Sequence, residues 1–392
     1  MSRMLKSPAK YVQGKGVMRE LDQYLQGMGK HLMILQTAGG TKRNMQILNT
    51  CFADKEYKID YQEFSGECTR GKIEKWARYC KDADITAVVG IGGGKVLDTA
   101  KGIAYYSGLP MVIVPTVCAT DAPCSSLSVM YTDEGKFDAY LFLDACPDVV
   151  IVDTEVIAKA PVRMLVAGMG DAMATWFEAR ACRASGRNNQ VNAKPTCAAT
   201  GLAKMCWEIL KADGLNAKRA VEVGVVTPAL ENIVEINTYL SGVGFESGGL
   251  AAAHGIQKGF TVIRELHEAL HGEKVAFCTL TQLVLENAPA TEINEVLKFC
   301  LEIGLPVCFA DLGYERVEAE AIRYAAEKAC VPESTIHNLP FEVTPDMIMD
   351  ALIAADALGR DYKENHFCES GYTRYKAIRI GQCVGDCWRG SI

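Results

Sequence analysis

The stretch Gly90-Ile91-Gly92-Gly93-Gly94-Lys95-Val96-Leu97-Asp98 decides how the N-terminal part of this 392-residue chain folds. The apolar or small residues Ile85 to Val89 lead into it and read as a short buried strand. Beyond it, Val96, Leu97, Ala100, Ile103 and Ala104 recur at i, i+3 and i+4, which is one face of a helix. Strand, glycines and helix start are the parts of a phosphate cradle. Glycine tolerates positive φ and close backbone approach, and the free N–H groups of a helix start favour an anion. Lys95 sets a cation in the first helical turn, an unfavourable place unless an anion is present. The stretch fits neither G-x-G-x-x-G in a clear register nor G-x-x-x-x-G-K-[ST], because Val96 follows Lys95. A tight turn without a ligand would carry the same glycines, so other residues must decide.

Outward from this stretch, strand and helix alternate. Leu32 to Leu35 reads as a strand ending in the loop Ala38-Gly39-Gly40, and Tyr57 to Phe64 as another. Thr69 can cap a helix whose apolar positions are Ile73, Trp76, Ala77 and Cys80. Met111 to Val114 and Val149 to Val152 are further strands. Between them Asp133-Glu134-Gly135, flanked by Val129 to Tyr131 and Tyr140 to Leu143, signals a hairpin. This order predicts an α/β N-terminal domain, residues 1–158, with a mostly parallel, Rossmann-like sheet. From Arg163 to about Gly359 the pattern is helical, with breaks at Gly214, Pro228, Gly249, Gly272, Pro289, Gly304 and Pro345. Residues 159–360 are thus expected to form an all-α domain, with the cleft between domains as the default ligand site. The tail, 361–392, has no clear periodicity.

Composition removes several classes of function. Apolar content of 49% with 23% charged residues describes a folded globular protein. A net charge of −7 with no basic run argues against nucleic acid as a partner. The N-terminus lacks an apolar signal segment, and the longest apolar stretch, Leu109 to Ala119, is broken by prolines and too short for a membrane span. A cytoplasmic protein with no membrane partner is expected. The sixteen cysteines include no C-x-x-C pair and lie mostly in apolar settings, so they read as reduced, buried thiols.

Of six histidines, His31, His337 and His366 stand apart and read as structural or exposed. His267-Glu268-Ala269-Leu270-His271 matches H-E-x-x-H, the zinc-peptidase helix, although Gly272 directly after it would end or kink that helix. A second constellation is Asp171, in Gly170-Asp171-Ala172 at an expected helix start, with His254 and His271. One carboxylate and two imidazoles suit a catalytic divalent metal with one position open for substrate. Spacing alone does not select this trio, since a capping Asp and core histidines would look the same.

Several segments together resemble the glycerol dehydrogenases of the iron-containing alcohol dehydrogenase and dehydroquinate-synthase-like superfamily, from about residue 5 to about residue 360. They are Gly92-Gly93-Gly94-Lys95 with Asp98 and Lys101, Pro115-Thr116, Thr120-Asp121-Ala122-Pro123, Ser128 to Gly135, Gly170-Asp171-Ala172, Leu240 to Gly249 with His254, and His271 to Ala276. The resemblance implies a dehydroquinate synthase-like fold and NAD-linked oxidation of glycerol, or a similar vicinal diol, to dihydroxyacetone. It implies Zn2+, with Fe2+ less favoured, on Asp171, His254 and His271, and polyol contact by Asp121. It implies a dinucleotide against Gly93, Gly94, Lys95, Asp98, Thr116, Ser125, Leu127 and Tyr131, and a homo-oligomer with an octamer as candidate size. Iron-type relatives carry a fourth ligand, His, four residues after the Asp, where this chain has Thr175. Gln36-Thr37 stands where the family commonly has an Asp for the adenosine ribose, which leaves NADP open. Ala119 replaces a family Ser that could bond the cofactor. Glycerol-1-phosphate dehydrogenase and a dehydroquinate-synthase-like lyase are the superfamily alternatives. Both act on phosphorylated substrates; the segments around Asp121, Asp171 and His254 carry few cations, and Lys258 keeps these alternatives open.

Overall fold

The computed structural model describes residues 2–369. The chain forms two compact units, the first Met1–Leu250 and the second opening at Ala251. The first unit holds the strands β1 (Lys10–Gly14), β2 (His31–Thr37), β3 (Lys58–Phe64), β4 (Ala87–Gly92), β5 (Met111–Pro115), β6 (Leu127–Tyr131), β7 (Phe137–Phe142) and β8 (Val149–Asp153). Its helices are α1 (Leu21–Tyr24), α2 (Ala38–Phe52), α3 (Arg70–Asp82), α4 (Gly94–Ser107), α5 (Thr154–Ala158), α6 (Val162–Ser185), α7 (Cys197–Glu222), α8 (Pro228–Glu235) and α9 (Ser241–Gly248).

Six strands form one sheet in the order β1-β8-β5-β4-β2-β3, and every pair in it is parallel. β4, β5 and β8 are buried along their whole length, as expected of strands covered on both faces. From β2 the chain steps outward to β3, then returns to β4 and moves the other way to β5, so the strand order reverses between β2 and β4. In an open parallel sheet that reversal, at the carboxyl ends of the strands, is where ligands bind. The turn Gly93–Gly94 leaves the end of β4 there, beside Thr37 at the end of β2. β6 and β7 pair antiparallel as the expected hairpin, with Gly135 at φ +79° in its turn.

Strand β1 and helix α2 were not legible in the sequence. β1 is a short, half-buried edge strand paired only with β8. The expected loop at Ala38-Gly39-Gly40 is instead the first turn of α2, capped by Thr37, whose hydroxyl accepts from Gly40 N at 3.1 Å. Strands end at Asp153, as the pattern predicts, but α6 to α9 remain part of the first compact unit. Side chains explain the attachment. Gln13 of β1 donates to Glu231 of α8, Thr154 donates to the same carboxylate, and Tyr11 pairs with Thr238.

The second unit holds α10 (Ala252–Gly259), α11 (His271–Leu285), α12 (Ala290–Ile303), α13 (Ala319–Ala329) and α14 (Pro345–Glu369). Pro228, Gly249, Pro289, Gly304 and Pro345 do mark helix ends, whereas Gly214 lies inside α7 and Gly272 inside α11. Helix α14 carries the first part of the expected tail, up to Glu369; the rest of that segment lies outside the described residues.

One buried charge ties α4 to the chain that follows β5. Lys101, with 0% exposure, donates to the carbonyls of Ala122 and Leu127 at 2.5 and 2.9 Å and to Ser125 Oγ at 3.4 Å. Its ammonium lies 3.8 Å from Asp98, whose other oxygen accepts from Val129 N at 3.1 Å. Replacing Lys101 by Met would leave buried carbonyls without donors and Asp98 without its countercharge. Urea denaturation of that variant should show a loss of roughly 3–5 kcal/mol, the usual cost of breaking a buried pair from one side.

Candidate functional site

The glycine turn is an open cradle, but not for the reason its sequence first implies. None of Gly90, Gly92, Gly93 or Gly94 has positive φ; Gly93 is extended at φ −90° and ψ 179°. Gly90 and Gly92 are glycines because of proximity. A Cβ on Gly90 would sit 2.5 Å from Ala100 Cβ, and one on Gly92 would sit 2.9 Å from Val96 Cβ. These contacts let α4 lie tightly on β4. Gly94 differs, with nothing within 4 Å of its would-be Cβ and an exposed position at the helix start. That is room for a ligand against free N–H groups.

Lys95 has an anion within the protein: its ammonium lies 2.5 Å from Glu67 Oε1, so its place in the first turn is explained without a ligand. Asp98 is buried, and desolvation pushes its carboxyl up to about 6 despite Lys101 and the Val129 N–H. Ser125 is also buried, and its hydroxyl donates to Ala122 O at 3.0 Å. Thr116, Leu127 and Tyr131 are half-buried. The backbone of Thr116 is anchored on Gly92 O and that of Tyr131 on Cys68 O. The whole cradle set therefore lies at the β4–α4 turn, on the start of α4, just past β5, and from Ser125 along β6.

Asp171 is not at a helix start as expected; it lies in the middle of α6, 1% exposed. Its Oδ2 accepts from Asp121 N at 3.3 Å, and Asp121 Oδ2 accepts in turn from Ser241 Oγ at 2.8 Å. The segment carrying Asp121 is held further by Asn237, whose amide donates to Cys118 O and Leu165 O. Asn237 sits in a π turn, Ile236–Leu240, between α8 and α9, and such turns recur at functional sites. Close approach is again bought with glycine: a Cβ on Gly168 would overlap Cys118 O and the Asn237 amide, and one on Gly242 would lie 2.8 Å from Asp121 O.

His254 and His271 occupy the first turns of α10 and α11, and their ring centroids are 5.3 Å apart. Gln282, which the sequence did not single out, registers the two helices. Its Oε1 accepts from the N–H groups of Ala252 and Ala253 at 3.0 and 2.9 Å, capping α10 from α11. Asp171 in the first unit and His254 and His271 in the second offer one carboxylate oxygen and two imidazole nitrogens as candidate ligand atoms. That donor set suits a divalent ion such as zinc.

The peptidase arrangement is excluded. The segment before His271 is a short 3-10 turn, Arg264–Leu266, and α11 begins only at His271, so His267 and His271 do not share a helix face. Exposed His267 packs its Nε2 3.1 Å from Thr261 O. His337 does likewise with Val331 O, and His31 lies 3.2 Å from Asp60. The His366 side chain lies outside the described residues. The described cysteines are all free thiols, most of them buried, and burial pushes those near Asp121 upward, Cys118 to about 12. No thiolate chemistry is served by such groups. Among the described residues no helix is long and apolar enough to cross a membrane.

The family model for iron-containing alcohol dehydrogenase matches residues 8–154. A glycerol dehydrogenase of Escherichia coli O6:H1 is 47% identical over 92% of this chain and 99% of its own length. One from Thermotoga maritima is 48% identical over 90% and 96%. Among solved structures, glycerol dehydrogenase from Schizosaccharomyces pombe superposes with a TM-score of 0.90 at 35% identity, covering 95% of this chain and 94% of that one.

Two consequences can be measured. Gln282→Leu should cost roughly 1–3 kcal/mol in urea denaturation, because two buried N–H groups lose their acceptor. The Asp98 carboxyl stands about two pH units above its unfolded value, so between about pH 4 and pH 6 the native state holds a proton that the unfolded chain has released. Its contribution to stability therefore falls as pH rises through that window, and Asp98→Asn should flatten this part of the stability–pH curve.

Proposed function

We propose that this chain, which belongs to the glycerol dehydrogenases of the iron-containing alcohol dehydrogenase family, oxidises glycerol reversibly at its secondary carbon to dihydroxyacetone, with NAD as hydride acceptor. The observation that carries this reading is a donor set of one carboxylate and two imidazoles, with the His254 and His271 rings 5.3 Å apart in one unit and Asp121 bonded through its N–H to Asp171 in the other. A divalent ion on these three groups supplies Lewis acidity toward a hydroxyl, lowering the cost of removing its proton near neutral pH. Zinc is the metal we assign, because three protein ligands leave one position open and the Thr175 hydroxyl is engaged with Ser241.

The chain's own groups then divide the work. Asp121 accepts from a polyol hydroxyl and orients the carbon skeleton. The N–H groups at Gly94 and the open space before them take the dinucleotide's phosphates, with Gly93, Lys95, Asp98, Thr116, Ser125, Leu127 and Tyr131 lining the bed. A nicotinamide so held supplies the redox chemistry. Gln36, buried and neutral at the end of β2, puts no negative charge against a 2′-phosphate, so NADP is the cofactor to compare. We read the working form as a homo-oligomer.

Spectrophotometric assay of nicotinamide reduction, with NAD and NADP against glycerol, other small diols and glycerol phosphate, tests this directly. Turnover of glycerol with NAD, lost on chelation and restored by Zn2+, is expected. His254→Ala should abolish turnover while leaving NAD affinity within about twofold, since the dinucleotide bed lies elsewhere. Retention of activity by that variant in metal-free buffer would overturn the metal assignment. Faster turnover of the phosphate ester than of glycerol would overturn the substrate.

A further inference from the structure

Asp121 is held by a directional chain of hydroxyls that none of the recognised segments assigns a role. Its Oδ2 accepts from Ser241 Oγ at 2.8 Å, and Ser241 Oγ lies 2.7 Å from Thr175 Oγ1, with all three residues buried. The directions follow from the proton count. A carboxylate can only accept, so Ser241 donates its single proton to Asp121. Its oxygen can then meet Thr175 only as an acceptor, so Thr175 donates to Ser241. The order is therefore Thr175→Ser241→Asp121. Hydrogen bonds drawn from buried hydroxyls fix the rotation of the Asp121 carboxyl group.

Three elements had to be brought close to build this chain. Thr175 stands one turn beyond Asp171 on α6, and Ser241 is the first residue of α9. A Cβ on Gly244 would lie 2.7 Å from Thr175 Cγ2, and one on Gly242 would lie 2.8 Å from Asp121 O. Neither glycine has positive φ, so their small size serves the approach of α9 to Thr175 and to the Asp121 segment.

We infer that Ser241 and Thr175 are positioning residues for substrate recognition: they hold the Asp121 carboxylate as an oriented acceptor for the polyol hydroxyl that does not react. The inference rests on the assignment of Asp121 to the substrate made above, and it concerns discrimination between a polyol and a simple secondary alcohol. Glycerol offers a second hydroxyl to Asp121, whereas 2-propanol offers none. Loss of the relay should therefore weaken the first substrate and spare the second.

The test compares kcat/KM for glycerol and for 2-propanol in the metal-loaded, full-length enzyme. Ser241→Ala should lower the glycerol to 2-propanol ratio by about ten- to a hundredfold, the scale of a misoriented contact, mainly through KM for glycerol, with KM for NAD unchanged. Thr175→Val, which keeps the shape and removes the donor, should shift the ratio in the same direction, and Thr175→Ser should restore it. The double variant should be no worse than Ser241→Ala alone, because the two hydroxyls act in series. If Ser241→Ala is too unstable to assay, the Thr175→Val and Thr175→Ser pair carries the test. An unchanged ratio in Thr175→Val, or additive losses in the double variant, would overturn the relay. A wild-type enzyme that oxidises no diol would instead overturn the substrate assignment, which the ratio in the variants does not address.

Discussion

A single buried ammonium organises the side of the first unit that carries the glycine turn. Lys101 has no water to donate to, and its protons go to the carbonyls of Ala122 and Leu127 and to Ser125. A lysine buried in this way is tolerable only when its donors find acceptors of good geometry. The chain between Asp121 and Leu127 therefore has to wrap against α4, whose first turn is the glycine cradle. Asp98, one turn earlier on the same helix, completes the arrangement by accepting from Val129 at the start of the hairpin. Position of the cradle and position of the Asp121 segment are thus not independent: each is set from the same helix.

On the other side of that segment, backbone proximity takes over from charge. α6 and α9 carry Gly168, Gly242 and Gly244 where they meet the Cys118–Cys124 stretch or one another, and each lacks a Cβ that would strike its neighbour. With the spacing this tight, short polar groups suffice. Asn237 reaches Cys118 O and Leu165 O, Ser241 reaches Asp121, and the Asp121 N–H reaches Asp171. The π turn at Ile236–Leu240 shifts the helical phase just before Ser241. A regular helix would present different residues to the Asp121 segment from that point on.

Much of this was legible in the sequence, and the illegible parts share physical causes. The parallel sheet, the hairpin and the change to helix after Asp153 follow from period and turn chemistry, which are local. α2 was hidden because Gly39 and Gly40 are poor helix formers, and the Thr37 cap had to outweigh them. β1 was hidden because five residues at a sheet edge, one exposed and four half-buried, carry almost no alternation. Asp171 looked like a cap because Gly168 and Gly170 precede it, yet Gly168 serves close packing inside a long helix. The H-E-x-x-H match failed for a cause no short pattern records: the helix starts on its last residue. Gln282 and Ser241 escaped notice because their partners are far away in the chain, and only tertiary structure reveals a side chain that caps another helix or orients a carboxylate.

His254, His271 and Asp171 are each held within their own unit, and by different means. Each histidine sits in a first helical turn, where the backbone is least constrained from within, so its direction depends on what caps the helix. For α10 that cap is Gln282, an α11 side chain, and the two rings are thereby set relative to each other by one amide oxygen. Asp171, by contrast, is locked in mid-helix and adjusted only by what hydrogen-bonds to its oxygens, among them the Asp121 N–H. Four residues further along α6 the chain has a hydroxyl in Thr175, and that hydroxyl is turned toward Ser241. The helix that carries Asp171 thus contributes, from its next turn, a donor that reaches Asp121 through Ser241. One helix in this way fixes the Asp171 carboxylate and, through Ser241, the Asp121 carboxylate, and a shift of α6 would move the two together.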